Sequence, residues 1–163
     1  MNITPQNSWE VLSDPILLKK IVHNLLSNAY KFSESGEVYI NLFKNHTPQG
    51  NHELIFEVID SGLGIDKNQI DDIYDLFRQI DSSITRKSSG TGIGLTVVKS
   101  LTQLLDGNVI CESQPGKGSH FKVCIRNTQV NNQHSLEKMA LIKEISNISF
   151  VKENIKILKT LPE

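Results

Sequence analysis

Apolar residues recur at helical spacing from position 17 onward: Leu17, Leu18, Ile21, Val22, Leu25, Leu26 and Ala29. They predict an amphipathic helix over roughly residues 15–32. Asp14-Pro15 marks its start, a capping acceptor followed by proline at the first helical position. Ser33 to Gly36 close it. The period then changes to two. Val38, Ile40 and Leu42 alternate with Tyr39, Asn41 and Phe43, and Glu53 to Ile59 alternate again. Two strands joined by a polar turn, a hairpin, are expected. Asn68 to Phe77 suit a short helix, and residues 78–92 are polar enough for a mobile surface loop. A second helix is expected from Ile93 to Leu105, ended by Asp106-Gly107. Strands follow at Asn108–Glu112 and Ser119–Ile125 around the turn Gln114-Pro-Gly-Lys-Gly118. A further strand fits Trp9 to Leu12. Beyond Asn127 the chain becomes Asn/Gln-rich, like a linker, and Ile148, Val151, Ile155 and Leu158 share one helical face. The organisation expected is a folded domain over 1–127 and a linker with a helical C-terminal tail over 128–163.

Composition narrows the function classes. The chain has 163 residues, 38% hydrophobic and 21% charged, so it can build a packed core. Its net charge is -1, without the basic surplus of a nucleic-acid binder. Apolar runs are too short for a membrane span or a signal peptide, so no direct membrane contact is expected. Cys111 and Cys124 lie too far apart in sequence for a CxxC site. The five histidines are scattered without metal-ligand spacing, and no P-loop motif is present.

Four features carry candidate chemistry. Asn24 and Asn28 are four apart on one helical face, with Lys31 a turn later. Carboxamide oxygens suit a hard cation that keeps most of its water, as magnesium does beside a nucleotide. Taken alone, the pair reads more readily as solvent-facing polar residues. Asp60 ends an apolar strand and precedes Gly62 and Gly64. A carboxylate there can accept from an exocyclic amine, worth about 1.5–3 kcal/mol when buried; a plain Asp-Gly turn is the simpler alternative. Gly90, Gly92 and Gly94 lead into a helix whose free N–H groups suit phosphate, and Thr91 adds a hydroxyl. Phe77-Arg78 precede the polar loop, and Arg86-Lys87 lie inside it, cations suited to a lid over phosphates. In this order the four features read as one ATP site.

The sequence resembles the ATP-binding catalytic domain of sensor histidine kinases, within the superfamily that includes type II topoisomerase and mismatch-repair ATPases. Asn24-Leu-Leu-Ser-Asn-Ala-Tyr-Lys-Phe-Ser33 resembles the N box, and Asp60-Ser-Gly-Leu-Gly-Ile65 the first glycine box. Leu76-Phe-Arg-Gln79 resembles the F box, Gly90-Thr-Gly-Ile-Gly-Leu95 the second glycine box, and Gly116-Lys-Gly-Ser-His-Phe121 the closing turn. The match covers roughly residues 11–126. Asp75-Leu76 stands where Glu-Pro is common.

The resemblance implies an α/β fold. It is a two-layer sandwich, with a mixed, mainly antiparallel sheet covered on one face by helices (a Bergerat-type ATP site). It implies ATP and Mg2+ as cofactors, with Asn28 as metal ligand and Asn24 assisting. Lys31 and Arg78 would meet phosphates, and Asp60 would bind the adenine amine. Gly62, Gly64, Ile65 and Phe77 would shape the base pocket; Thr91, Gly92, Gly94 and Leu95 would shape the phosphate side. The implied reaction transfers the ATP γ-phosphoryl group to a histidine on a separate dimerisation domain, in cis or trans, and a response regulator follows downstream. Topoisomerase relatives carry a water-activating glutamate where this chain has Asn24, which favours kinase chemistry over hydrolysis. A superfamily ATPase and a non-catalytic nucleotide-sensing module are the alternative readings. The implied location is cytoplasmic, including the cytoplasmic part of a membrane-anchored sensor. The short stretch before the N box makes an N-terminally truncated catalytic unit the expectation.

Overall fold

A computed structural model describes residues 13–33, 37–46, 52–76, 92–126 and 155–157. The first helix, α1 (Pro15–Phe32), starts where the sequence places it. The Asp14 side chain accepts from the N–H groups of Ile16 at 2.8 Å and Leu17 at 3.1 Å. Those are two of the donors that every helix start leaves without an internal partner. α1 buries Ile21, Val22, Leu25, Leu26 and Ala29 along one stripe.

The strands are β1 (Val38–His46) and β2 (His52–Asp60), then, after α2 (Gly94–Leu104), β3 (Gly107–Gln114), β4 (Gly118–Ile125) and β5 (Ile155–Ile157). They form one sheet in the order β3-β4-β2-β1-β5. The first four are antiparallel neighbours, and β5 lies parallel to β1. This is the mixed, mainly antiparallel sheet expected, with α1 and α2 packed on one face. Alternation decides which side chains meet the helices. Leu54, Phe56 and Val58 of β2 and Phe121, Val123 and Ile125 of β4 turn inward and are buried. Glu57 lies on the opposite face, where Asn41 donates to it at 3.1 Å and Lys122 pairs with it at 3.6 Å.

Two expectations need correction. Residues 68–76 do not form a short helix; single 3-10 turns occupy Lys67–Gln69 and Asp72–Tyr74. Asp66 caps the first turn through a bond from the Asn68 N–H at 2.9 Å. Ile73 is buried, and Ile70 and Tyr74 pack against the core beside it, but these contacts span little more than one turn, too short a stripe to support a longer helix. The C-terminal tail was expected to be helical through Ile155 and Leu158. At 155–157 it is instead extended, pairing Val38 with Ile155 and Ile40 with Ile157. Ile-Lys-Ile alternates with period two and is β-branched at both ends, and β1 offers a free edge of backbone donors and acceptors. The expected strand at 9–12 and the linker from 128 lie outside the described residues.

The packing gives a graded expectation for stability. Leu25 is fully buried, so Leu25→Ala should cost about 2–5 kcal/mol. Asp14→Ala, which removes only the cap, should cost about 1 kcal/mol. Urea unfolding of both variants checks the order; a larger loss at Asp14 than at Leu25 would contradict it.

Candidate functional site

Asp60 and the glycine loop that follows it lie at one end of the sheet. Asp60 is the last residue of β2 and pairs with Ser119 of β4. It continues the inward row of Leu54, Phe56 and Val58, so the strand's period carries a carboxylate toward the helix layer. Asp60 is only 7% exposed. The Gly62 N–H donates to its Oδ1 at 2.9 Å and the Ser119 N–H to the same oxygen at 3.3 Å. Among the described residues no donor reaches Oδ2. Burial raises the Asp60 pKa above the ordinary carboxylate value, while these two bonds oppose the rise without cancelling it.

The loop after Asp60 is held from two sides. The Leu63 N–H donates to the Phe32 carbonyl at 3.2 Å, one of the acceptors that the end of α1 leaves free. On the other side the Gly116 N–H donates to the Leu63 carbonyl at 2.7 Å, and the Ile65 N–H to the Ser113 hydroxyl at 2.8 Å. Gly64 sits at φ 69°, and a Cβ there would run into the Gln114 carbonyl. Only glycine meets both demands. Gly62 is similarly crowded by the Phe32 carbonyl. Ile65 and Leu95, both partly buried, pack against the core.

The second part of the site lies where α1 meets α2. Asn24 and Asn28 are one turn apart on α1. The Asn24 amide nitrogen donates to the Lys20 carbonyl at 2.7 Å, which leaves Oδ1 as the outward atom. A Cβ on Gly94 would stand 3.2 Å from that oxygen and 3.8 Å from the Asn28 carboxamide. The bare Cα of Gly94 therefore lets the start of α2 come close to both asparagines. α2 has no side-chain cap, unlike α1. Among the described residues its first N–H groups, which carry the positive end of the helix dipole, meet no side-chain cap. Gly92 precedes them at φ 69°.

The donor set fits a magnesium ion. Two neutral carboxamide oxygens beside an open helix start supply few protein ligands and leave room for water and phosphate. Lys31, on the last turn of α1, rests its ammonium 4.7 Å from the centre of the Phe32 ring, and burial lowers its pKa. Phe77, Arg78 and Thr91, with the lid and its Arg86 and Lys87, lie outside the described residues. Ser113 and Ser119, which hold the loop and Asp60, had no assigned role in the sequence reading. The available signal was a polar residue at an inward position: Ser113 follows Val109 and Cys111 in the inward alternation of β3.

Comparison with known proteins gives the family and the fold. Residues 13–129 match the family described as histidine kinase-, DNA gyrase B- and HSP90-like ATPase. The chain is 38% identical over 117 residues to the autoinducer 2 sensor kinase/phosphatase LuxQ of Vibrio parahaemolyticus, covering 71% of this chain and 14% of that protein. It is 34% identical over 121 residues to the signal transduction histidine-protein kinase BarA of Escherichia coli, covering 74% and 13%. It is 40% identical over 114 residues to the circadian input-output histidine kinase CikA of Synechococcus elongatus, covering 69% and 14%. The chain thus spans about a seventh of the length of these curated relatives. Among solved structures, a mycobacterial sensor histidine kinase, MprB, superposes with a TM-score of 0.56 at 25% identity, covering 72% of this chain and 77% of that one. Full-length ShkA in complex with AMPPNP shares the fold, with a TM-score of 0.60 at 20% identity, covering 95% and 33%.

The Asp60 environment makes a pH prediction. Its folded pKa is raised, so between the unfolded value and the raised one the native state binds more protons. Stability contributed by this group therefore falls as pH rises through that window. Asp60→Asn keeps an acceptor for the two N–H groups and removes the charge. Urea titrations should show the variant gaining on the parent as pH rises from 4 toward 7. A difference independent of pH would contradict the burial argument.

Proposed function

Since this chain belongs to the histidine kinase-, DNA gyrase B- and HSP90-like ATPase family, we propose that it holds Mg·ATP at this sheet end for γ-phosphoryl transfer to a histidine on another domain. The domain is the catalytic unit of sensor histidine kinases, and its relatives include LuxQ, BarA and CikA. The observation that carries the reading is the meeting of Asn24, Asn28 and Gly94 at the uncapped start of α2.

Each group has a distinct task. Asp60 accepts the adenine amine through Oδ2, the oxygen without a donor among the described residues. Gly62 and Gly64, packed against the Phe32 and Gln114 carbonyls, hold the loop that would shape the base pocket, with Ile65 and Phe77 proposed as its apolar walls. Asn28, assisted by Asn24, holds the metal, which when bound neutralises phosphate charge. The N–H groups at Gly92, Gly94 and Leu95 and the Thr91 hydroxyl face the phosphates, and Lys31 and Arg78 add positive charge. A carboxamide takes no proton from water at neutral pH, so Asn24 is unsuited to act as a hydrolytic base. That supports transfer to a histidine over hydrolysis. Catalysis here is positioning and charge neutralisation. The partners are a phosphoacceptor histidine domain of the same kinase and a response regulator downstream. No helix among the described residues is long and apolar enough to cross a membrane; a cytoplasmic location is part of this proposal.

Two variants test the assignment. Asp60→Asn should weaken ATP binding about ten- to a hundredfold, because a charge-assisted bond worth about 1.5–3 kcal/mol is lost. Calorimetry that found unchanged affinity would remove Asp60 from the base pocket. Asn28→Ala should abolish most of the magnesium dependence of nucleotide binding with little effect on folding, since alanine favours helix. A full magnesium response in that variant would move the metal elsewhere. Labelling of an added histidine-bearing partner domain tests the transfer itself.

A further inference from the structure

The hydroxyl of Ser113 sits where three segments meet. The Ile65 N–H reaches Ser113 Oγ at 2.8 Å, Gly118 O lies at 2.8 Å, and Ser119 Oγ lies at 3.0 Å. Proton counting fixes every direction. A serine hydroxyl has one proton and two lone pairs. The Gly118 carbonyl can only accept, so it takes the Ser113 proton. The Ile65 N–H can only donate, so it uses one lone pair. The second lone pair is left for the Ser119 hydroxyl, which must therefore be the donor. Ser113 is then saturated, and Ser119 has no proton to offer anything else.

Ser119 is 8% exposed and opposite Asp60 in the strand register, and its own N–H is spent on Asp60 Oδ1. The consequence reaches the base pocket. Asp60 presents an acceptor, and Ser119, with its proton committed to Ser113, presents only lone pairs. Both groups at this end of the pocket then accept and neither donates. An exocyclic amine is satisfied there, whereas a ring carbonyl meets only acceptors.

We propose that Ser113 is a positioning residue that sets base specificity: by taking the Ser119 proton and the Ile65 N–H, it keeps the Asp60 end of the pocket an acceptor for an amine and hostile to a carbonyl. The proposal rests on the reading of Asp60 as the base acceptor. It adds a role for a residue outside the pocket wall. Ser113→Ala would release the Ser119 proton, which could then turn toward a carbonyl.

The test compares ATP with inosine triphosphate, in which a carbonyl replaces the amine. Their dissociation constants are measured on the 163-residue chain for the parent, Ser113→Ala, Ser113→Cys and Ser113→Thr. The parent should prefer ATP by about tenfold or more. Ser113→Ala, which leaves the Asp60 acceptor in place, should narrow that preference measurably, with ATP weakened and inosine triphosphate weakened less or improved. Ser113→Thr, which keeps the hydroxyl, should restore the parent ratio. If Ser113 only braced the fold, the alanine variant would weaken both nucleotides alike and leave the ratio unchanged; that result overturns the proposal. Circular dichroism checks folding, and if the alanine variant does not fold, the near-isosteric Ser113→Cys, a weak acceptor, is read for the same ratio. A parent chain that binds neither nucleotide would instead overturn the ATP reading itself. A parent preference that survives both substitutions unchanged overturns this inference alone.

Discussion

A carboxylate at the inward end of the central strand β2 is the constraint around which the rest of this site is arranged. Asp60 continues a row of buried apolar side chains, where an ionised group pays a desolvation cost that is tolerable only with hydrogen bonds. The chain meets that cost with backbone. The loop turns at once so that the Gly62 N–H points back at Oδ1, and β4 brings the Ser119 N–H to the same atom. Two donors on one oxygen leave the other with its full acceptor strength. The same geometry keeps the pKa elevated, because two bonds do not replace the water lost on burial. The site thus gives up native stability at neutral pH for a directed acceptor, a trade common where groups are placed for binding.

The loop that supplies one of those donors depends on parts far away in sequence. It is anchored to the last free carbonyl region of α1 at Phe32 and to the β3–β4 turn at Leu63 and Ile65. These anchors tie the helix layer to the sheet at the one end where the nucleotide is proposed to sit. Elsewhere the layers are joined by apolar packing, through Leu25, Leu26, Val58 and Val98. The directional bonds therefore concentrate where position matters most.

The two helices illustrate a division of labour. α1 is capped by Asp14 and closed at its start. α2 begins at Gly94 with no side-chain cap, and its first residue lies against two asparagines from α1. A capped start is stable and inert toward anions; an uncapped start is less stable and available. The outer face of the sheet takes no part in this. There Glu57 is met by Asn41, His120 and Lys122, ordinary cross-strand pairing on the face away from the helices.

Local chemistry was legible in the sequence because it repeats with short periods. The stripe from Leu17 to Ala29, the Asp14-Pro15 start and the alternation of Val38, Ile40 and Leu42 located α1 and β1 close to their observed bounds. Asp60, Asn24, Asn28 and Gly94 were singled out by type and order, and the ordered boxes pointed to the family. Other features depended on partners that no local pattern encodes. Residues 67–74 break into 3-10 turns because their core contacts, Ile70, Ile73 and Tyr74, span little more than one turn. Ile155–Ile157 became strand because β1 had an edge to fill, although the spacing around them suits a helix. That Asn24 Oδ1 faces Gly94 follows from the approach of segments tens of residues apart, and that the Ser113 and Ser119 hydroxyls meet follows from the pairing of β3 with β4. The sequence by itself determined which residues could do the chemistry. Only the tertiary structure decided where each proton and lone pair points, because hydrogen bonds are directional and their partners here arrive from different strands and helices.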